Sequence, residues 1–101
     1  MKTIGIIAEF NPFHNGHAYL IKKAKEFTEA DRVIVIMSGN FVQRGCPAII
    51  NKYDRTLHAL ENGCDCVFEL PPVFSTASAE TFAKASVYFL HNLNCINYLC
   101  F

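Results

Sequence analysis

Two histidines, His14 and His17, separated by Asn15 and Gly16, carry the first chemistry in this chain. An imidazole N–H donates a directed hydrogen bond, and the ring can hold a positive charge near neutral pH. Their i, i+3 spacing across a helix start brings both rings to one polyphosphate. A helix start also presents free backbone N–H groups and the positive end of the macrodipole. The pattern implies a nucleotide-phosphate site, with His14 and His17 as the candidate catalytic pair. Gly16 suits such a site because a Cβ there would crowd a nucleotide lying over the helix start. The expected nucleotide-contact segment is Ile7, Ala8, Glu9, Phe10, Asn11, Pro12, Phe13, His14, Asn15, Gly16, His17, Ala18, Tyr19 and Leu20. Most of these contacts would be backbone or packing. Pro12 sets a turn, and Phe10 and Phe13 are each expected to pack. Glu9 has two readings: it orients a metal-bound water or a ribose, or strand-end backbone N–H groups satisfy it.

These residues need a scaffold, and strand-like and helix-like stretches alternate to supply one. Thr3 to Ala8 is a short β-branched run that reads as a buried parallel strand. From His17 onward Leu20, Ile21, Ala24 and Phe27 repeat at helical spacing. Arg32 to Met37 reads as a second strand, and Ser38 to Ile50 as an irregular loop. Asn51 caps a second helix with Tyr53, Leu57 and Leu60 as its apolar stripe, stopped at Asn62-Gly63. Cys66 to Leu70 reads as a third strand ended by Pro71-Pro72. Ser78 caps a third helix burying Phe82, Ala85, Phe89 and Leu93, and Ile96 to Phe101 is a fourth strand. The alternation predicts an α/β fold: a Rossmann-like parallel sheet of about four strands with helices on both faces.

In such sheets ligands bind beyond the carboxyl ends of the strands, where strand order reverses. His14 and His17 follow the first strand's carboxyl end. Ser38, Gly39 and Asn40 follow the second and are expected to border the same cleft as substrate-binding residues. Gln43, Arg44, Lys52 and Arg55 are the nearby amide and cationic groups, each either a ligand contact or a solvated surface residue. The five cysteines and His58 complete no recognised ligand set, so no metal site is assigned.

Three blocks in order, Glu9-Phe10-Asn11-Pro12-Phe13-His14-Asn15-Gly16-His17, Met37 to Gly45 and Pro47 to Lys52, resemble the tRNA(Met) cytidine acetate ligase family. That family belongs to the nucleotidyltransferase superfamily, whose signature is His-x-Gly-His. The similarity runs through the whole chain. It implies activation of acetate with ATP, entry of Mg2+ with the ATP, and transfer of the acetyl group to the N4 of the wobble cytidine of elongator tRNA(Met). It also implies a sheet with the first strand central, the second and third to one side and the fourth to the other. Arg44 lies inside a family-like block and is the preferred candidate of the four groups. Cys46 stands where the family pattern usually has an acidic residue, a departure that touches the local loop contacts. The chain resembles the N-terminal part of a nucleotidyltransferase-like domain, residues 1–101, from a longer enzyme. Alone it is expected to be inactive, with its fourth strand an exposed apolar edge.

Composition sets the outer bounds. A chain of 101 residues with 51% hydrophobic composition supplies one core and one domain. Nine basic residues balance nine acidic ones, which argues against a broad basic surface for nucleic acid. An odd cysteine count and no signal-like or membrane-spanning apolar run point to a reducing cytoplasm and no membrane. No motif indicates a protein partner. Two alternatives stand beside the ligase reading: a small-molecule adenylyltransferase, or a nucleotide-binding remnant without activity.

Overall fold

The computed structural model describes residues 1–42 and 45–100. Its elements run β1 (Thr3–Ala8), α1 (Asn15–Thr28), β2 (Arg32–Met37), α2 (Lys52–Glu61), β3 (Cys66–Glu69), α3 (Pro72–Ser75), α4 (Ala79–Asn92) and β4 (Tyr98–Cys100). The strands form one sheet in the order β3-β2-β1-β4, and every pairing is parallel. Strand order reverses at β1, which places the loop after β1 at the switch point.

Both sheet faces are covered, which is why β1 and β2 are apolar almost throughout. Ile4, Ile6, Val33, Val35 and Met37 pack with Ile21 of α1 and Ala59 of α2 on one face. Ile7, Ile36 and Leu70 pack with Phe82 and Leu90 of α4 on the other. Gly5 lets α4 lie close to β1: a Cβ there would meet Leu90 Cδ1 at 2.9 Å, and the Leu90 side chain would have to shift. The strand starts are fixed by side chains: Asp65 Oδ2 accepts from Val33 N at 2.7 Å and Asn97 Oδ1 from Thr3 N at 2.9 Å. Among the described residues no helix is long and apolar enough to cross a membrane.

Caps set the helix boundaries. Asn51 Oδ1 accepts from Asp54 N at 2.9 Å and Ser78 Oγ accepts from Thr81 N at 3.2 Å, as the sequence implied. Helix α1 begins at Asn15, two residues before the apolar periodicity becomes visible, because His14 itself is the cap. The short helix α3 was not apparent in the sequence. Pro72 opens it at a position where a missing N–H costs nothing.

Two expectations about helix faces require correction. Tyr53, Leu57 and Leu60 do not form the buried stripe of α2; they are 74%, 52% and 43% exposed, while Arg55 and Ala59 are completely buried. Close approach to the sheet needs a small residue at 59, and the strand ends above it need hydrogen-bond donors. Both demands outrank hydrophobicity at this short helix. Phe27 likewise points outward from α1. The expected irregular loop after β2 contains an antiparallel bridge between Phe41 and Pro47.

This assignment of the α2 faces sets opposite outcomes for two substitutions. Leu57→Gln should change unfolding free energy by no more than about 0.5 kcal/mol in urea titrations, as at an ordinary surface site. Ala59→Leu should cost about 1–3 kcal/mol through overpacking.

Candidate functional site

The site starts with a strained turn. At the end of β1, Phe10 adopts φ +50°, a left-handed conformation that bulky residues rarely occupy. The strain costs about 1–2 kcal/mol. Burial of the ring to 1% exposure, which stabilises by about 1.5–3 kcal/mol, is enough to offset it. The turn sends the chain across the carboxyl edge of the sheet. The Phe10 ring meets Phe13 edge-on at 4.8 Å and His17 at 4.9 Å between centroids. Phe10 is therefore packing material, and its packing holds an imidazole.

The two histidines cap α1 reciprocally. His14 Nδ1 accepts from Gly16 N at 3.0 Å, and His17 Nδ1 accepts from His14 N at 3.2 Å. This is a capping box built from imidazoles instead of a hydroxyl and a carboxylate. The rings stack with centroids 3.8 Å apart and planes 24° apart. A nitrogen that accepts a hydrogen bond carries no proton, so the neutral rings hold theirs on Nε2. Backbone geometry has thus selected one tautomer, which leaves Nε2–H as the donor on each ring.

The expectation of free backbone donors at this helix start therefore needs revision. Gly16 N–H is bound by His14 Nδ1, and His17 N and Ala18 N both donate to the His14 carbonyl, at 2.9 and 3.2 Å. The imidazoles replace those amides as the groups available to an anion. No carboxylate stands in the first turn of α1, so the positive helix end is left without an internal counter-charge there. The reason for Gly16 also becomes more specific. A Cβ would come within 2.8 Å of His14 Cε1, displacing the capping ring before any ligand is considered.

The remaining candidates separate into two groups. Asn15 and Tyr19 are exposed beside the histidines, while Ala18 and Leu20 are half-buried on α1. Ile7 is buried and Ala8 half-buried at the end of β1. Asn11 turns away from the helix start, its Oδ1 accepting from Ile49 N at 2.7 Å, and exposed Pro12 follows it in the turn. Asn40 caps the loop end in the same way, with Oδ1 accepting from Lys52 N and its carbonyl from Ala48 N, each at 2.8 Å. Ser38 and Gly39 are buried behind the cleft, not displayed in it. Gln43 and Arg44 lie outside the described residues.

Ser38 and Gly39 are buried because they hold Arg55, the residue whose role the sequence hid. Its Nε donates to Ile50 O at 2.9 Å, its Nη1 to Glu9 O at 2.7 Å and Ser38 O at 3.2 Å, and its Nη2 to Gly39 O. Burial lowers its pKa from the usual guanidinium value, and the carboxylates of Glu9 and Glu69 oppose that shift. Lys52, also from α2, pairs with Glu69 Oε1 at 2.9 Å, and the hydrogen bond and charge of Glu69 raise its pKa. Gly39 leaves room for this pair, since any Cβ would collide with the Glu69 carboxylate. A lone arginine within a helix carries no sequence signal for such a clamp.

Among the described residues no group of three or more His, Cys, Asp or Glu side chains could hold a metal ion. A concavity of about 670 Å³ lies elsewhere among the described residues, between α3 and α4, with Thr81, Lys84, Tyr88 and Asn92 at a lining made mostly of apolar surface such as Leu70, Phe74 and Phe89. It offers a nucleotide few directional contacts, and the histidines are the better-supported site.

A parallel α/β sheet with paired imidazoles capping the helix after its switch-point strand is an arrangement of nucleotidyltransferase type. The chain belongs to the HIGH Nucleotidyl Transferase family, whose model matches residues 1–101. It is 50% identical over 101 residues to the tRNA(Met) cytidine acetate ligase of Clostridium tetani and 54% identical to that of Caldicellulosiruptor saccharolyticus. Each match covers 100% of this chain and 25% of the relative, so the chain spans about a quarter of the length of these curated proteins. Thermotoga maritima TmcAL in its apo form superposes with a TM-score of 0.95 at 46% identity, over 100% of this chain and 24% of that one. The same protein bound with alpha-thio ATP gives 0.93 at 45%, over 98% and 24%.

The pKa of His17 is lowered, first by burial and second by the neighbouring His14. The unfolded chain then binds a proton at His17 more readily than the folded chain does. Between the lowered value and the ordinary 6.5, stability should rise with pH, and it should fall as pH drops through that window. Urea midpoints measured from above pH 7 downward check this. His17→Gln keeps an acceptor for the His14 N–H but cannot titrate, so it should lose this part of the pH slope.

Proposed function

We propose that this chain forms the ATP-binding part of a tRNA(Met) cytidine acetate ligase. The observation that carries the reading is the imidazole pair: two rings with their Nδ1 atoms engaged by backbone and their Nε2–H groups left to donate at a positive helix end. Such donors fit the oxygens of a triphosphate. ATP and its Mg2+ arrive together, and the metal neutralises phosphate charge when bound. A relative that binds alpha-thio ATP and relatives named for the ligase activity support the substrate assignment.

In this reading an acetate oxygen attacks the α-phosphorus of ATP, and pyrophosphate leaves with the electron pair of the broken P–O bond. The N4 amine of the wobble cytidine of elongator tRNA(Met) then attacks the acetyl carbonyl of the acetyl-adenylate. AMP leaves, the amine loses a proton, and N4-acetylcytidine results. His14 and His17 stabilise charge building on the phosphoryl oxygens, which is where preorganised donors contribute most. The stretch Ile7 to Leu20 forms the nucleotide side of the cleft. Ser38 and Gly39 support its second wall from behind, Asn40 borders it, and Gln43 and Arg44 are the further candidates for substrate contact. The whole reaction takes place in the cytoplasm and needs residues beyond this quarter of the relatives' length.

Calorimetric titration of the chain with ATP and Mg2+ tests the reading. Saturable binding is expected, and the His14→Ala, His17→Ala double variant should weaken it by about 10- to 100-fold, the value of two lost hydrogen bonds. Equal affinity in a folded double variant would refute the assignment of the pair. The chain by itself should not acetylate tRNA, and acetate, not a phosphorylated cofactor precursor, should be the second substrate of the complete ligase.

A further inference from the structure

Arg55 lies far from the histidine motif in sequence, yet its guanidinium is 0% exposed at the carboxyl edge of the sheet. It donates to the carbonyls of Glu9, Ser38, Gly39 and Ile50. Those carbonyls come from three separate stretches: the turn out of β1, the turn out of β2 and the end of the loop entering α2. Chain leaving a sheet has carbonyls with no neighbouring strand, and in a buried place each needs a donor. A guanidinium offers five N–H groups in a rigid plane and can bridge three segments at once, whereas an ammonium acts as a point charge.

The contact to Glu9 gives the clamp a route to the histidines. Glu9 immediately precedes Phe10, whose left-handed backbone aims the turn and whose ring abuts His17 at 4.9 Å. The contacts to Ser38 and Gly39 tie the end of β2 to the same guanidinium. We propose that Arg55 is a positioning residue for the nucleotide site: it fixes the separation of the β1 and β2 ends and, through Glu9 and Phe10, the orientation of the His14–His17 pair. Its effect on ATP rests on the nucleotide-site reading above; its effect on the imidazoles does not.

The test compares the wild-type chain with Arg55→Lys and Arg55→Ala by nitrogen-15 NMR of the histidine rings, amide hydrogen exchange and ATP calorimetry. Arg55→Lys should keep protected amides in β1 and β2, yet lose the single Nε2–H tautomer at His17 and bind ATP at least about tenfold more weakly. Methylguanidinium, unlike methylammonium, should restore the ring spectrum of Arg55→Ala. A folded Arg55→Lys chain with wild-type ring signals would overturn the proposal. If the wild-type chain fails to bind ATP, the nucleotide reading falls, while the ring spectra still decide the positioning role. If neither variant folds, the wild-type side chain decides. Slowly exchanging, individually resolved Arg55 Nη protons support the clamp, and one averaged, rapidly exchanging guanidinium signal refutes it.

Discussion

Carbonyl groups crowd together where β1 and β2 end, and the guanidinium of Arg55 supplies their donors. Its bonds reach Glu9, Ser38, Gly39 and Ile50. Removing one partner from a buried polar cluster leaves the others unsatisfied, at about 1–3 kcal/mol for each group. The geometry of the cleft follows from this constraint. Helix α2 must turn its arginine inward, which forces Tyr53, Leu57 and Leu60 toward solvent. Ser38 and Gly39 must turn their carbonyls inward, which removes them from the cleft surface. The β1 turn, anchored at Glu9, can then support the strained Phe10.

The second constraint is local to α1. A helix start needs acceptors for its first N–H groups, and here the functional side chains supply them. His14 and His17 accept backbone N–H groups with Nδ1, and that leaves Nε2 as the ring nitrogen available to the proposed ligand. One pair of residues thereby ends the loop, starts the helix and fixes its own protonation pattern. Preorganisation of this kind removes reorganisation cost at the moment of reaction. Burial, and then the neighbouring His14, lower the pKa of His17, which favours the neutral ring that can accept from the His14 N–H.

The strands were legible because apolar runs of the right length alternate with helical periodicity, whereas the sheet order came only from the family resemblance. The caps at Asn51 and Ser78 were legible because Asn and Ser are ordinary N-cap residues. The His14 cap was not, since imidazole is an unusual N-cap and the residues were read for phosphate chemistry alone. The inward face of α2 was misread for a related reason. A stripe of Tyr53, Leu57 and Leu60 matches helical periodicity, and periodicity carries no information about carbonyls converging from distant strands. The amide oxygens of Asn11 and Asn40 bind loop backbone at Ile49 and Lys52, a pairing invisible until the loop is folded.

Backbone N–H groups hold both imidazoles with a bare Nδ1, and the proposed ATP site depends on the Nε2–H this leaves on each ring. Nitrogen-15 spectra of the His14 and His17 rings, recorded at neutral pH during an ATP titration, test it most directly. The account requires unprotonated Nδ1 and protonated Nε2 in both neutral rings, with saturable changes centred on Nε2 as ATP binds. A Nδ1–H tautomer in the free chain, or rings unmoved by bound ATP, would contradict it.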